Sequence, residues 1–97
     1  MAAWPVATLD LHGCTAAEAE RRVDGFLRQH TRSSPGEVIE IITGKGTRSE
    51  GRPVLPGLVR ECLDGRWRRS VSDWAGTPGG GSVKVRLRGR RRGGTEG

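Results

Sequence analysis

Twice in this 97-residue chain the spacing of apolar residues switches from that of a strand to that of a helix, and this restricts the fold more than any other feature. In the first unit, VATLDLHG alternates, so Leu9 and Leu11 share one face of a strand over Val6–Leu11 and Asp10 and His12 share the other. CTAAEAERRVDGFLRQH then places Ala19, Val23, Phe26 and Leu27 on one helical stripe. Thr15 followed by Glu18 is a capping box, in which hydroxyl and carboxylate each satisfy an orphan backbone N–H. Gly25 weakens this helix by about 1 kcal/mol relative to alanine without breaking it. TRSSPG reads as a turn-rich connection, which ends the helix at His30.

The second unit starts with EVIEIITG, β-branched and alternating at its start, and passes through the glycine-rich TGKGTRSEGRP. VLPGLVRECLDG follows, with Leu55, Leu58, Val59, Cys62 and Leu63 at helical spacing. Pro56 suits a first turn and Asp64-Gly65 a stop. SVSDWA is a weaker strand, GTPGGG a turn, and SVKVRLR a strand alternating Val83, Val85 and Leu87 with Lys84, Arg86 and Arg88. The order is β-α-β-α-β-β, which predicts a two-layer α/β sandwich with a mixed sheet and helices on one face. Right-handed βαβ geometry makes the first two strands parallel, so LDLHG and ITGKG meet at one sheet edge, beyond the carboxyl ends where open α/β sheets bind ligands.

With 33% hydrophobic residues, the chain supports one modest core, expected over residues 1–88. Residues 89–97 form a basic Gly/Arg-rich tail with the composition of a disordered end. No apolar run approaches the roughly 18–20 residues of a membrane span. MAAWPVATLD lacks the pattern of a secretory signal, so the expected location is the cytoplasm. Cys14 and Cys62 stand apart with no CxxC and are expected to be buried free thiols. Trp67 and Trp74, flanking the third strand, are expected to cover the core, although a tryptophan near a basic surface can also stack on an unpaired base; Trp4 precedes the first strand.

The net charge of +6 is uneven: residues 1–79 hold 11 basic and 10 acidic side chains, whereas residues 80–97 hold 6 and 1. The excess lies in KVRLRGRRRGG, which suits a phosphate backbone or serves merely as a solubilising end. Of 17 basic residues 15 are arginine, a bias that whole-genome composition can also produce. Asp10 and His12 are the residues able to move a proton near neutral pH, the carboxylate orienting the imidazole; alternatively they are a polar strand end and a cap. Gly44 and Gly46 around Lys45 suit an anion-binding turn, but Lys45 is followed by Gly46 and the GxxxxGK spacing is absent, so this is not a Walker A loop.

LDLHG before a capped helix, EIITGKGTRSEGRPVLPGLVRECL, and PGGGSVKVRLR together resemble the three landmarks of the small MutS-related (Smr) domain over roughly residues 8–88. The resemblance implies a fold like the C-terminal domain of translation initiation factor three, nucleic acid binding, and endonuclease activity in the form of RNA cleavage or DNA nicking. It assigns cleavage to Asp10 and His12, and substrate binding to Thr43, Gly44, Lys45, Gly46, Arg48 and Ser49. Gly80, Gly81, Lys84, Arg86 and Arg88, in the third landmark and the strand after it, complete the expected nucleic-acid surface. Thr43 stands where many members carry His, Pro78 replaces the first glycine of the third landmark, and Ser82 stands where Ala is usual. No cluster of three or four carboxylates lies near these boxes, which disfavours a protein-held two-metal site, while one hydrated Mg²⁺ or Mn²⁺ on Asp10 and the phosphate is compatible with them. The expected partner is RNA or DNA, with the ribosome as a further candidate, and the expected state is a monomer free of membranes. The alternatives are a non-catalytic nucleic acid or ribosome-binding module, and a protein-interaction domain.

Removal of residues 89–97 is expected to weaken nucleic acid binding and to flatten its salt dependence by roughly 0.9 in log–log slope per lost duplex phosphate contact. Titrations of both chains across a salt series measure this, and an unchanged slope leaves the tail a solubilising end.

Overall fold

The computed structural model describes residues 4–44 and 54–89, with side chains in the second group from residue 57 onward. Strand β1 (Ala7–Asp10) leads into helix α1 (Ala16–Ser33), strand β2 (Val38–Ile42) and helix α2 (Val54–Asp64). A short 3-10 turn (Arg68–Ser70) then precedes strands β3 (Val71–Gly76) and β4 (Ser82–Leu87). The sheet order is β1-β2-β4-β3, with β1 parallel to β2 and β4 antiparallel to both its neighbours. The mixed sheet and element order are those expected from the sequence, and β4, the last strand among the described residues, occupies an interior position.

One face of the sheet carries the core. Leu11, Ile39, Ile41, Val71, Val85 and Leu87 meet Ala19, Val23 and Leu27 of α1 and Val59 and Leu63 of α2. Leu9, Phe26, Leu58, Trp67, Trp74 and Val83 pack around this cluster, so both tryptophans cover the core as expected. Trp74 lies opposite Val85 because an irregularity between Val71 and Asp73 resets the alternation of β3. The other face is mainly polar: Thr8, Asp10, Glu40, Ser82, Lys84 and Arg86 occupy its register positions together with Val38 and Ile42.

The capping box forms, with the Glu18 N–H donating to Thr15 Oγ1 at 3.1 Å and the Thr15 N–H donating to Glu18 Oε1 at 3.0 Å. Helix α1 runs three residues past the expected end at His30. Thr31 and Ser33 are accommodated by hydroxyls that donate back to the carbonyls of Arg28 and Gln29. The helix stops where Pro35 restricts Ser34. Strand β1 starts one residue later than Val6, which is 52% exposed. Cys14 and Cys62 are free thiols but only half-buried, because each lies at the rim of the core. Burial, followed by the nearby Asp24 and Glu20 charges, pushes the Cys62 thiol up and keeps it protonated. No helix among the described residues is long and apolar enough to cross a membrane. Of the expected tail only Gly89 belongs to the described residues; the expectation of disorder over the rest lies outside them.

Asp24 on α1 fastens the segment after α2 to the first helix. Trp67 Nε1 donates to its Oδ1 at 2.8 Å and the Arg66 guanidinium donates to Oδ2. Partial burial pushes the Asp24 carboxyl up, but the hydrogen bonds from Trp67 and Arg66 outweigh it and hold the group below the usual carboxylate range. A carboxyl whose folded pKa is depressed stabilises the fold above its unfolded pKa, and that contribution disappears as pH falls through the folded value. Asp24→Ala is therefore expected to cost about 1–3 kcal/mol near neutral pH by urea denaturation. The gap to the parent should shrink as the pH is lowered below about 4. A constant gap down to pH 2 would show that Asp24 acts through packing and not through its charge.

Candidate functional site

Loops from three parts of the chain meet at the edge formed by the carboxyl ends of β1 and β2. Since β4 runs antiparallel to β2 and pairs Ser82 with Ile42, the β3–β4 hairpin also turns at this edge. Pro78 does not disturb it. Thr77 and Gly80 close a β-turn through a 2.9 Å hydrogen bond from the Gly80 N–H to the Thr77 carbonyl, and Pro78 occupies the second position, where its fixed φ fits. The Gly81 carbonyl then accepts from the Thr43 N–H at 2.9 Å and from the Gly44 N–H at 3.0 Å. Gly44 takes φ +82°, a conformation natural to glycine, and a Cβ on it would lie 3.6 Å from His12 Cβ. The three sequence landmarks thus form one edge.

Asp10 ends β1 on the polar face, and His12 follows on the turn beyond Leu11, whose side chain is fully buried. Asp10 Oδ1 accepts the His12 backbone N–H at 3.1 Å and lies 3.0 Å from His12 Nδ1. These bonds, first from the imidazole and then from the backbone, hold the Asp10 carboxyl below its ordinary value, so it is ionised at neutral pH. An ionised carboxylate only accepts, so Nδ1 carries the proton and Nε2 is the basic position of the neutral ring. The side chains are 75% and 52% exposed for His12 and Asp10, so a macromolecular substrate can reach both.

The other expected site residues divide. Thr43 is 4% exposed, with its hydroxyl directed to the carbonyls of Gly44 and Gly81. Its amide and that of Gly44 are engaged inside the fold, so an anion at this loop would depend on the groups that follow. Those groups, Lys45, Gly46, Arg48 and Ser49, lie outside the described residues. Gly80 and Gly81 are in the hairpin at the same edge. Lys84 lies one same-face step down β4, opposite Glu40 and Ala75. Arg86 and Arg88 are at the far end of β4, where Arg86 donates to the Gly36 carbonyl at 3.0 Å. Arg88 donates to the carbonyls of Arg69 at 2.7 Å and Val71 at 3.2 Å. They are remote from the Asp10–His12 pair.

A hydrogen-bonded chain next to this pair was not anticipated. Ser82 Oγ donates to Glu40 Oε2 at 2.6 Å, and the Thr77 and Ser82 hydroxyls are 3.0 Å apart. The signal for it was the lone acidic residue inside the apolar strand VIEII. Among the described residues no group of three or more His, Cys, Asp or Glu gathers in a way that could hold a metal ion.

A family model for the Smr domain matches residues 9–88. An uncharacterized protein of Treponema pallidum (strain Nichols) is 43% identical over 59 residues, covering 61% of this chain; the chain spans only 29% of that relative's length. The solution structure of the B3BP Smr domain aligns with a TM-score of 0.65 at 27% identity, covering 84% of this chain and 77% of that one.

Gly44→Ala tests the packing of this edge. Its positive φ should cost roughly 1–2 kcal/mol by urea denaturation, while the 3.6 Å separation from His12 is ordinary contact that leaves the imidazole in place. A loss well above this range would mean that the new methyl group displaces the loop.

Proposed function

This chain belongs to the Smr domain family of nucleic-acid-binding modules, and on that premise we propose that it is an endonuclease that cleaves RNA or nicks DNA with His12 as its proton-transfer group. The observation that carries this reading is the exposed His12–Asp10 pair, with 3.0 Å between Nδ1 and Oδ1, at an edge built from all three landmark loops. In the reaction Nε2 takes the proton of the attacking oxygen, either water or the 2′-hydroxyl of RNA, as that oxygen bonds to phosphorus. The bond from phosphorus to the leaving oxygen breaks, and the leaving oxygen receives a proton from the imidazolium. Asp10 keeps the ring in the required tautomer and stabilises its charge once formed.

Asp10 could also hold a divalent cation. Its Oδ1 serves His12, so Oδ2 would be the oxygen free to hold a hydrated Mg²⁺ or Mn²⁺. Such an ion would supply neutralisation of phosphate charge.

With single-stranded RNA, duplex DNA and supercoiled plasmid as substrates, each tested with and without Mg²⁺ or Mn²⁺, the parent should cut at least one. His12→Ala should lower the rate by about 10²–10⁴ while changing affinity less than about threefold. Asp10→Asn should lose less, because an amide oxygen can still accept from Nδ1. Cleavage at the parent rate by His12→Ala would remove the assignment. Binding without cleavage by the parent would instead make the chain a non-catalytic module.

A further inference from the structure

A cavity of about 260 Å³ opens between the β3–β4 hairpin and the polar face of the sheet, lined by Ala75, Gly76, Thr77, Pro78 and Lys84. Its walls are small: Gly76 has no side chain, Ala75 and Pro78 present hydrocarbon, and the Thr77 hydroxyl is engaged with Ser82. The cation is Lys84, which is half-buried in the middle of β4.

Directly opposite Lys84 in the register is Glu40, the natural ion-pair partner. Glu40 instead accepts the 2.6 Å hydrogen bond of Ser82, one same-face step nearer the hairpin. Among the described residues the ion pairs are Asp10 with His12 and Asp24 with Arg66, so Lys84 enters none. A half-buried ammonium beside a small-walled cavity gains most from an anion that brings little bulk, and a phosphate group has that chemistry.

Asp10, Ile42 and Ser82 form one row across β1, β2 and β4, and Lys84 lies two residues beyond Ser82. With strands about 4.8 Å apart and about 3.3 Å per residue, the Asp10 and Lys84 Cα atoms are roughly 12 Å apart on the same face. One phosphate cannot touch both. Resting on the nucleic-acid reading above, we propose that the Lys84 cavity is a second phosphate subsite, which holds a single-stranded nucleic acid across the polar face while another of its phosphates lies at His12. Ala75 and Pro78 take the adjoining sugar, and the Thr77 hydroxyl gives its proton to Ser82, so the Lys84 ammonium is the side-chain donor of the lining and the subsite holds backbone phosphate. A flexible strand can bend one phosphate into this hollow, whereas a duplex holds its backbone at fixed spacing.

The test uses the full chain and fluorescein-labelled oligouridylate, with a labelled RNA duplex of equal length for comparison, followed by anisotropy in EDTA. Lys84→Ala should weaken binding of the single strand about 5–10-fold and lower its salt slope by roughly 0.7, with a much smaller effect on the duplex. Lys84→Arg should restore most of the affinity. Ala75→Phe, which fills the cavity from an exposed position without changing charge, should weaken the single strand as well. Parent-like affinity in Lys84→Ala or in Ala75→Phe overturns the subsite, as does an equal loss on both substrates, which would indicate diffuse charge. In these outcomes the His12 assignment is untouched, whereas failure of the parent to bind any nucleic acid defeats both readings.

Discussion

The carbonyl of Gly81 accepts from two consecutive amides, those of Thr43 and Gly44, and the candidate site depends on that convergence. Thr43 and Gly81 are 38 residues apart in sequence, and this bond fixes the end of β2 against the hairpin. Once Gly44 is held at positive φ, it lies against His12, whose ring is set from the other side by Asp10. The imidazole is thus oriented by the Asp10 carboxylate, which also accepts the His12 backbone N–H, and not by a packed pocket, which is how so exposed a pair can have a defined orientation. Buried Thr43 belongs to the same arrangement: its hydroxyl donates to the neighbouring Gly44 carbonyl and closes the loop onto itself.

Charge and hydrogen bonding are divided between the two ends of the sheet. Arg86 and Arg88 donate to backbone carbonyls at the end away from His12, stitching the start of β2 and the start of β3 to the end of β4. A carbonyl does not neutralise a guanidinium, so these arginines brace the fold and still contribute to the positive field around it. Asp24 does similar work with its opposite charge, tying Trp67 and Arg66 to α1.

Local signals in the sequence were readable because their causes are local. The Thr15–Glu18 box, the alternation in LDLHG and the stripe Ala19–Val23–Leu27 depend on neighbours a few residues away, and all appear in the structure. The meeting of the first two landmark loops followed from the handedness of a βαβ unit. The sheet order did not, because nothing within SVKVRLR states that it will insert between β2 and β3; that depends on which faces remain to be covered once the helices have docked. The roles of Gly81 and Ser82 were hidden for the same reason, since each acts through a partner some forty residues away. Thr31 and Ser33 read as a connection by residue type, yet their hydroxyls find acceptors in carbonyls of the preceding turn and so do not compete with the helix.

The interior position of β4 also governs how the chain can fold. Until Ser82–Leu87 arrives, β2 has a partner on one side only and β3 has none, and even a short tie across the gap, such as Thr43 to Gly81, bridges 38 residues. Loop-closure entropy must be overcome before these contacts give anything back. During synthesis, the βαβ half emerges first with an unsatisfied strand edge, open to any extended segment nearby. The same strand that presents Lys84 to the polar face is therefore the one whose docking covers the free edge of β2 and joins the two halves into a single sheet.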